Sequence, residues 1–122
     1  MGANRVAVIG VGQTKYASVR GDVSLPGLLR EAAYRALADA HLTMDDIDAV
    51  VVGKAPDFCE GIMMPEPYLA EALGAVGKPL FRVHTAGSVG GSTAIVAASH
   101  VEAGVHERVL TIGWQQQSVS EA

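Results

Sequence analysis

Val83-His84-Thr85-Ala86-Gly87-Ser88-Val89-Gly90-Gly91-Ser92-Thr93-Ala94 reads as a tight turn from a strand into a helix. The strand before it covers residues 80–85 and follows the Gly77-Lys78-Pro79 break. The helix after it covers residues 92–103, and Gly104 is placed to close it as the C′ residue. Between them lie Gly87, Gly90 and Gly91, and glycine permits positive φ and close backbone approach. A helix that starts near Gly91 directs free N–H groups and a positive dipole end back at the turn. Such surroundings lower the pKa of a thiol or stabilise an oxyanion. The same glycines equally suit a turn that only packs a helix tightly on a sheet. Spacing leaves both readings open.

Outward from the turn, the chain alternates strands and helices. Residues 108–113 form a fourth strand. Upstream, residues 5–12 (RVAVIGVG) are a continuous β-branched run closed by glycines, the pattern of a strand buried on both faces. A polar loop follows over 13–22. Ser24 then suits an N-cap, with Pro26 in the first turn, where its missing N–H costs nothing. Leu25, Leu28, Leu29, Ala32, Ala36 and Ala40 repeat at helical spacing behind it. Residues 43–46 make a turn and 47–52 a second strand. Residues 53–67 are irregular, and 68–73 form a short helix stopped by Gly74. The order β-α-β-(α)-β-α-β predicts a parallel sheet with right-handed crossovers. In such sheets ligands bind beyond the carboxyl ends of the strands, where the Ser88 turn lies. No helix follows the last strand, so the chain reads as a partial unit.

Composition narrows the function. Hydrophobic residues make up 49% of the 122, enough for a packed core, and small residues favour helix-on-sheet packing. The net charge is −4, without a lysine or arginine cluster, which argues against nucleic acid as a partner. No apolar run approaches the ~20 residues of a membrane span. A single cysteine, Cys59, permits no internal disulfide and, with no secretory leader at the start, predicts a cytoplasmic protein. Gly10-x-Gly12 after the first strand invites a dinucleotide site, but the third glycine is missing and a polar loop follows.

Three segments carry a resemblance: 8–16 (VIGVGQTKY), 46–53 (DIDAVVVG) and 82–98 around the turn. They are similar to the N-terminal part of the thiolase superfamily, especially thiolases of the sterol carrier protein-x type and the actinobacterial lipid-transfer protein group. The family's nucleophile motif looks like C-x-x-G-S-T-A, and residues 88–94 (SVGGSTA) fall on it. The resemblance implies a three-layer α/β fold with a mostly parallel sheet and flanking helices. It makes residues 1–122 a partial N-terminal domain whose C-terminal half, with the family's catalytic His and second Cys, is absent. It also implies acyl-CoA thioesters as substrates in lipid or sterol degradation or lipid transfer. Coenzyme A then enters as a thioester substrate and no separate cofactor is needed. Thiolase-like subunits form homo- or hetero-oligomers, commonly dimers.

The family's reactive cysteine falls on Ser88. A serine hydroxyl is a far weaker nucleophile than a thiolate and needs a general base. Thiolysis is therefore doubtful, and retro-aldol C–C cleavage becomes the alternative acyltransferase-family chemistry. A non-catalytic binding or assembly subunit, or a truncated product, is the competing reading. Ser88 is expected in a substrate pocket, with Gly87, Gly90 and Gly91 around it. His84 is either a base or a structural histidine. Met63 and Met64, with Phe58 and Tyr68, either line an acyl pocket or cover the sheet. Cys59 reads as a loop cysteine without an activating neighbour. His41, His100 and His106 read as solvated, and no histidine spacing suggests a metal. Asp45, Asp46 and Asp48 read as a turn and cap.

Overall fold

The computed structural model of the chain describes residues 4–54 and 64–115. Helix α1 (Leu25–Asp39) begins where the sequence places it: the Ser24 hydroxyl accepts from the Gly27 amide, and Pro26 occupies the first turn. Strand β1 (Ala49–Lys54) is buried throughout, as its unbroken apolar run requires. Helix α2 (Glu66–Leu73) ends at Gly74 with φ 74°. Strand β2 (Leu80–Val83), helix α3 (Val89–Glu102) and strand β3 (Val109–Trp114) complete the described elements. The three strands are parallel in the order β2-β1-β3, with Gly53 in register with both Val83 and Gly113.

Side chains leave β1 alternately to two faces. Val50 and Val52 join Leu110 and Ile112 against Leu29, Leu37, Leu69 and Leu73 of α1 and α2. Gly53 meets Val89 and Thr93 of α3 on the other face. The result is a three-layer α/β/α arrangement, with α1 and α2 opposite α3. The loops leaving β1 and β2 thus lead to helices on opposite faces of the sheet. In open α/β sheets such divergence marks where ligands bind. Among the described residues no helix is long and apolar enough to cross a membrane.

Several expectations need correction. Residues 5–12 belong to no strand of the described sheet; Val8 is 82% exposed. Their glycines explain where they sit. A Cβ on Gly10 would come within 2.6 Å of the Ala36 carbonyl oxygen, and one on Gly12 would overlap the Ala36 amide. The segment lies directly on α1, whose half-buried alanines Ala32, Ala36 and Ala40 face it and the space beside it. The buried stripe of α1 is instead Leu25, Leu29, Ala33 and Leu37. His100 and His106 are not simply solvated. Their rings stack at 5.5 Å, and His100 also stacks on Phe81 at 4.9 Å. The aspartates do act as caps: Asp46 closes a capping box with Thr43, and Asp48 accepts from the amides of Glu107 and Arg108.

Candidate functional site

β2 stops at Val83, and the chain turns upward through exposed His84 and Thr85. Ala86 takes φ 51°, a left-handed conformation that costs a residue with a Cβ about 1–2 kcal/mol. A single 3-10 turn, Ala86–Ser88, then runs straight into α3. The helix thus begins earlier than its sequence suggests, and Gly90 and Gly91 lie in its first turn.

The turn glycines play a different part from the one expected. None of Gly87, Gly90 and Gly91 has a positive φ, and a Cβ on any of them would meet nothing within 4 Å. Neither backbone strain nor packing requires glycine there. What these residues do is keep one side of the turn open. Ser88, the N-cap residue, makes no side-chain capping bond to the helix. The first amide of α3 needs none, because the 3-10 turn runs on into the helix and Val89 N–H donates to the Ala86 carbonyl oxygen. The close approach lies underneath instead. A Cβ on Gly53 would overlap the Thr93 hydroxyl, and one on Gly113 would sit 3.8 Å from the Gly90 Cα.

A short chain of hydroxyls organises the site. Ser88 Oγ donates to the Thr85 carbonyl oxygen at 2.9 Å and lies 3.1 Å from Thr85 Oγ1. Thr85 Oγ1 in turn donates to Ser92 Oγ at 2.7 Å. His84 is directed elsewhere: its Nδ1 accepts from the Ala86 amide at 3.5 Å. The structure therefore places Ser88, Gly87, Gly90 and Gly91 at one exposed turn. It does not bring His84 into hydrogen-bond contact with Ser88.

Met64 is 71% exposed just ahead of α2, whereas Tyr68 packs against the main core. Met63, Phe58 and Cys59 lie outside the described residues. The sequence reading missed Lys54. It ends β1 at the same carboxyl edge, is 2% exposed, and holds its Nζ 6.0 Å from the centre of the Trp114 ring. A lysine closing an otherwise apolar buried strand was the available signal.

No family model matches the chain. It is similar to human sterol carrier protein 2, with 32% identity over 117 residues, covering 93% of this chain and 21% of that protein. Over 90 residues it is 39% identical to β-ketoacyl-[acyl-carrier-protein] synthase III of Helicobacter pylori, covering 71% of this chain and 26% of that one. Among solved structures, the Ltp2-ChsH2(DUF35) aldolase superposes with a TM-score of 0.69 at 29% identity, over 86% of this chain and 26% of that one. The chain thus spans about a fifth to a quarter of the length of the relatives it matches.

Proposed function

The chain belongs to the thiolase superfamily, as a partial unit of that fold, and from that premise we propose that its Ser88 turn holds an acyl-CoA thioester without forming a covalent acyl-enzyme. The observation that carries this reading is the direction of the Ser88 hydroxyl. It donates to the Thr85 carbonyl oxygen, an acceptor unable to remove its proton. Among the described residues no basic side chain bonds to Ser88, and a serine without a base is a poor nucleophile. Thiolysis, which passes an acyl group through the side chain at this position to coenzyme A, is then not the reaction.

Retro-aldol cleavage suits the turn better. In a 3-hydroxyacyl thioester the hydroxyl proton passes to a base supplied with the rest of the catalytic apparatus, the Cα–Cβ bond breaks, and a carbonyl compound departs. The electron pair passes to the thioester as an enolate, which then takes up a proton at Cα. Negative charge grows on the thioester oxygen, and the positive end of the α3 dipole suits that charge. Lys54, buried at the same edge, adds positive potential. A solved relative described as an aldolase supports this direction. His84 stands at the rim as a polar contact to substrate, and exposed Met64 as an apolar one. The rest of the catalytic apparatus comes from other thiolase-like polypeptide, in a homo- or hetero-oligomer. Among the described residues no strand pairs with the outer edge of β3, which favours a second reading, a non-catalytic assembly subunit.

Acetoacetyl-CoA tests the proposal. It should shift the Gly90 and Gly91 amide resonances, while intact-mass analysis shows no acyl adduct. The Ser88→Cys variant should acquire one. An acyl group on wild-type Ser88, lost in Ser88→Ala, would overturn the non-covalent role. Unmoved Gly90 and Gly91 resonances would overturn thioester binding at the turn.

A further inference from the structure

We propose that Ser92 is the side chain that selects the ligand, donating a hydrogen bond to an oxygen on carbon 3 of the acyl chain, and that Thr85 holds it in position to do so. This role rests on the reading of the Ser88 turn as a thioester site and names the part of the ligand that is read there. Its ground is the direction of the three hydroxyls. Ser88 Oγ donates to the Thr85 carbonyl oxygen. Thr85 Oγ1 donates to Ser92 Oγ at 2.7 Å, so Ser92 is engaged as an acceptor. Among the described residues, no protein group accepts a hydrogen bond from Ser92 in return. The chain of hydroxyls thus ends in a donor.

The other hydroxyls of α3 behave differently. A serine or threonine inside a helix can donate to the carbonyl four residues back. Thr93 does so to the Val89 carbonyl at 2.6 Å, and Ser99 to the Ile95 carbonyl at 2.8 Å. Ser92 has the Ser88 carbonyl at the same spacing and makes no such bond. Thr85, reaching across from the exit of β2, holds the Ser92 oxygen instead. A hydroxyl that accepts one short bond is polarised by it and becomes the stronger donor. Ser92 is only partly buried, so a ligand at the turn can reach it.

Position sets what Ser92 reads. It follows Ser88 by four residues, so the two side chains stand on one face about a helical turn apart. The space beside them is open, since a Cβ on Gly87, Gly90 or Gly91 would meet nothing within 4 Å. With the thioester oxygen at the positive end of α3, carbon 3 lies two bonds farther along the acyl chain. An oxygen there points to Ser92 rather than to Ser88, whose hydroxyl is already committed to Thr85. His84 does not compete, because its Nδ1 accepts from the Ala86 amide. A 3-oxo and a 3-hydroxy group each accept a hydrogen bond, whereas a methylene covers the Ser92 hydroxyl and leaves it unpaired. A site that donates to a ligand oxygen discriminates against the analogue lacking it.

The test titrates three four-carbon thioesters into the whole chain, acetoacetyl-CoA, 3-hydroxybutyryl-CoA and butyryl-CoA, and follows the Gly90 and Gly91 amide resonances. The first two should bind about five- to ten-fold more tightly than the third. Ser92→Ala should bring the three Kd values together, chiefly by weakening the first two. Thr85→Val keeps the β-branched shape but removes the donor, and should lose most of the preference; Thr85→Ser should keep it. A merely structural role for either residue would weaken all three ligands alike and leave their ratio unchanged. Equal binding of the three by the wild type overturns the proposal and leaves the thioester site standing. So does a preference that survives Ser92→Ala, or one for the 3-hydroxy ligand alone, which would make Ser92 an acceptor. Resonances unmoved by any of the three would overturn the thioester site itself, and this role with it.

Discussion

Ser88 Oγ lies 2.9 Å from the Thr85 carbonyl oxygen and donates a hydrogen bond to it. The hydroxyl therefore acts as a brace across the turn. A thiol is a weaker donor. The Ser88→Cys substitution, made with Cys59→Ser to leave one thiol, should loosen that brace and leave the sulfur beside the α3 N-terminus. Its thiol should titrate below the ordinary value of about 8.5. The pH profile of iodoacetamide alkylation measures this; a midpoint at or above 8.5 would mean the turn supplies no useful positive field.

Ala86 carries the turn's only left-handed φ, 51°. Ala86→Gly should raise stability by about 0.5–1 kcal/mol, relief of strain exceeding the added freedom of the unfolded chain. Ala86→Val should lower it by about 1 kcal/mol or more, since a β-branched residue fits that region worst. Urea unfolding of the three proteins provides the ranking, and equal midpoints would contradict it.

Gly53 sits beneath the site, where an added Cβ would overlap the Thr93 hydroxyl and lie 3.0 Å from Val89 Cγ2. Gly53→Ala should therefore cost roughly 1–3 kcal/mol through overpacking. Adding Thr93→Ala should recover part of the loss, because the two substitutions share one contact. A double-mutant cycle showing simple additivity would rule out that contact as the cause.

Asp48 accepts from the amides of Arg108 and Glu107, in that order of weight, and these bonds hold its carboxyl below the ordinary 3.8. A depressed folded pKa means the stabilisation is present above the unfolded value and fades as pH falls through the folded one. Thermal stability of the wild type should thus fall below about pH 4. Asp48→Asn should lower Tm at neutral pH and flatten that acid limb. An unchanged limb would assign the acid sensitivity to other carboxylates.

How much of this was legible depended on how local each signal is. Ser24 and Pro26 announce the start of α1, and the unbroken apolar run announces β1, because capping and burial are written in neighbouring residues. The turn at the carboxyl edge was legible for the same reason. Residues 5–12 misled because an apolar β-branched run reports an apolar setting, not a hydrogen-bonded neighbour; the glycines that seat it on Ala36 act through a distant helix. The left-handed residue proved to be Ala86, since a φ imposed by a tight exit from β2 leaves no compositional mark. The His100–His106 stack and the burial of Lys54 are likewise properties of tertiary packing. At the site, the position of Ser88 could be read, but the direction of its proton could not.

The seat of residues 5–12 on α1 also bears on the order of folding. Just ahead of it, Asn4 donates to the carbonyls of Glu102 and Val101, joining nearly the full length of the described chain. Contacts of such separation close late. During synthesis, residues 5–12 leave the ribosome long before α3 exists to hold Asn4. Throughout that interval an apolar, β-prone run stands free, and even in the finished fold Ile9 and Val11 stay 60% and 68% exposed. This is the segment at which self-association of newly made chains should begin, and the one a holding chaperone should shield first.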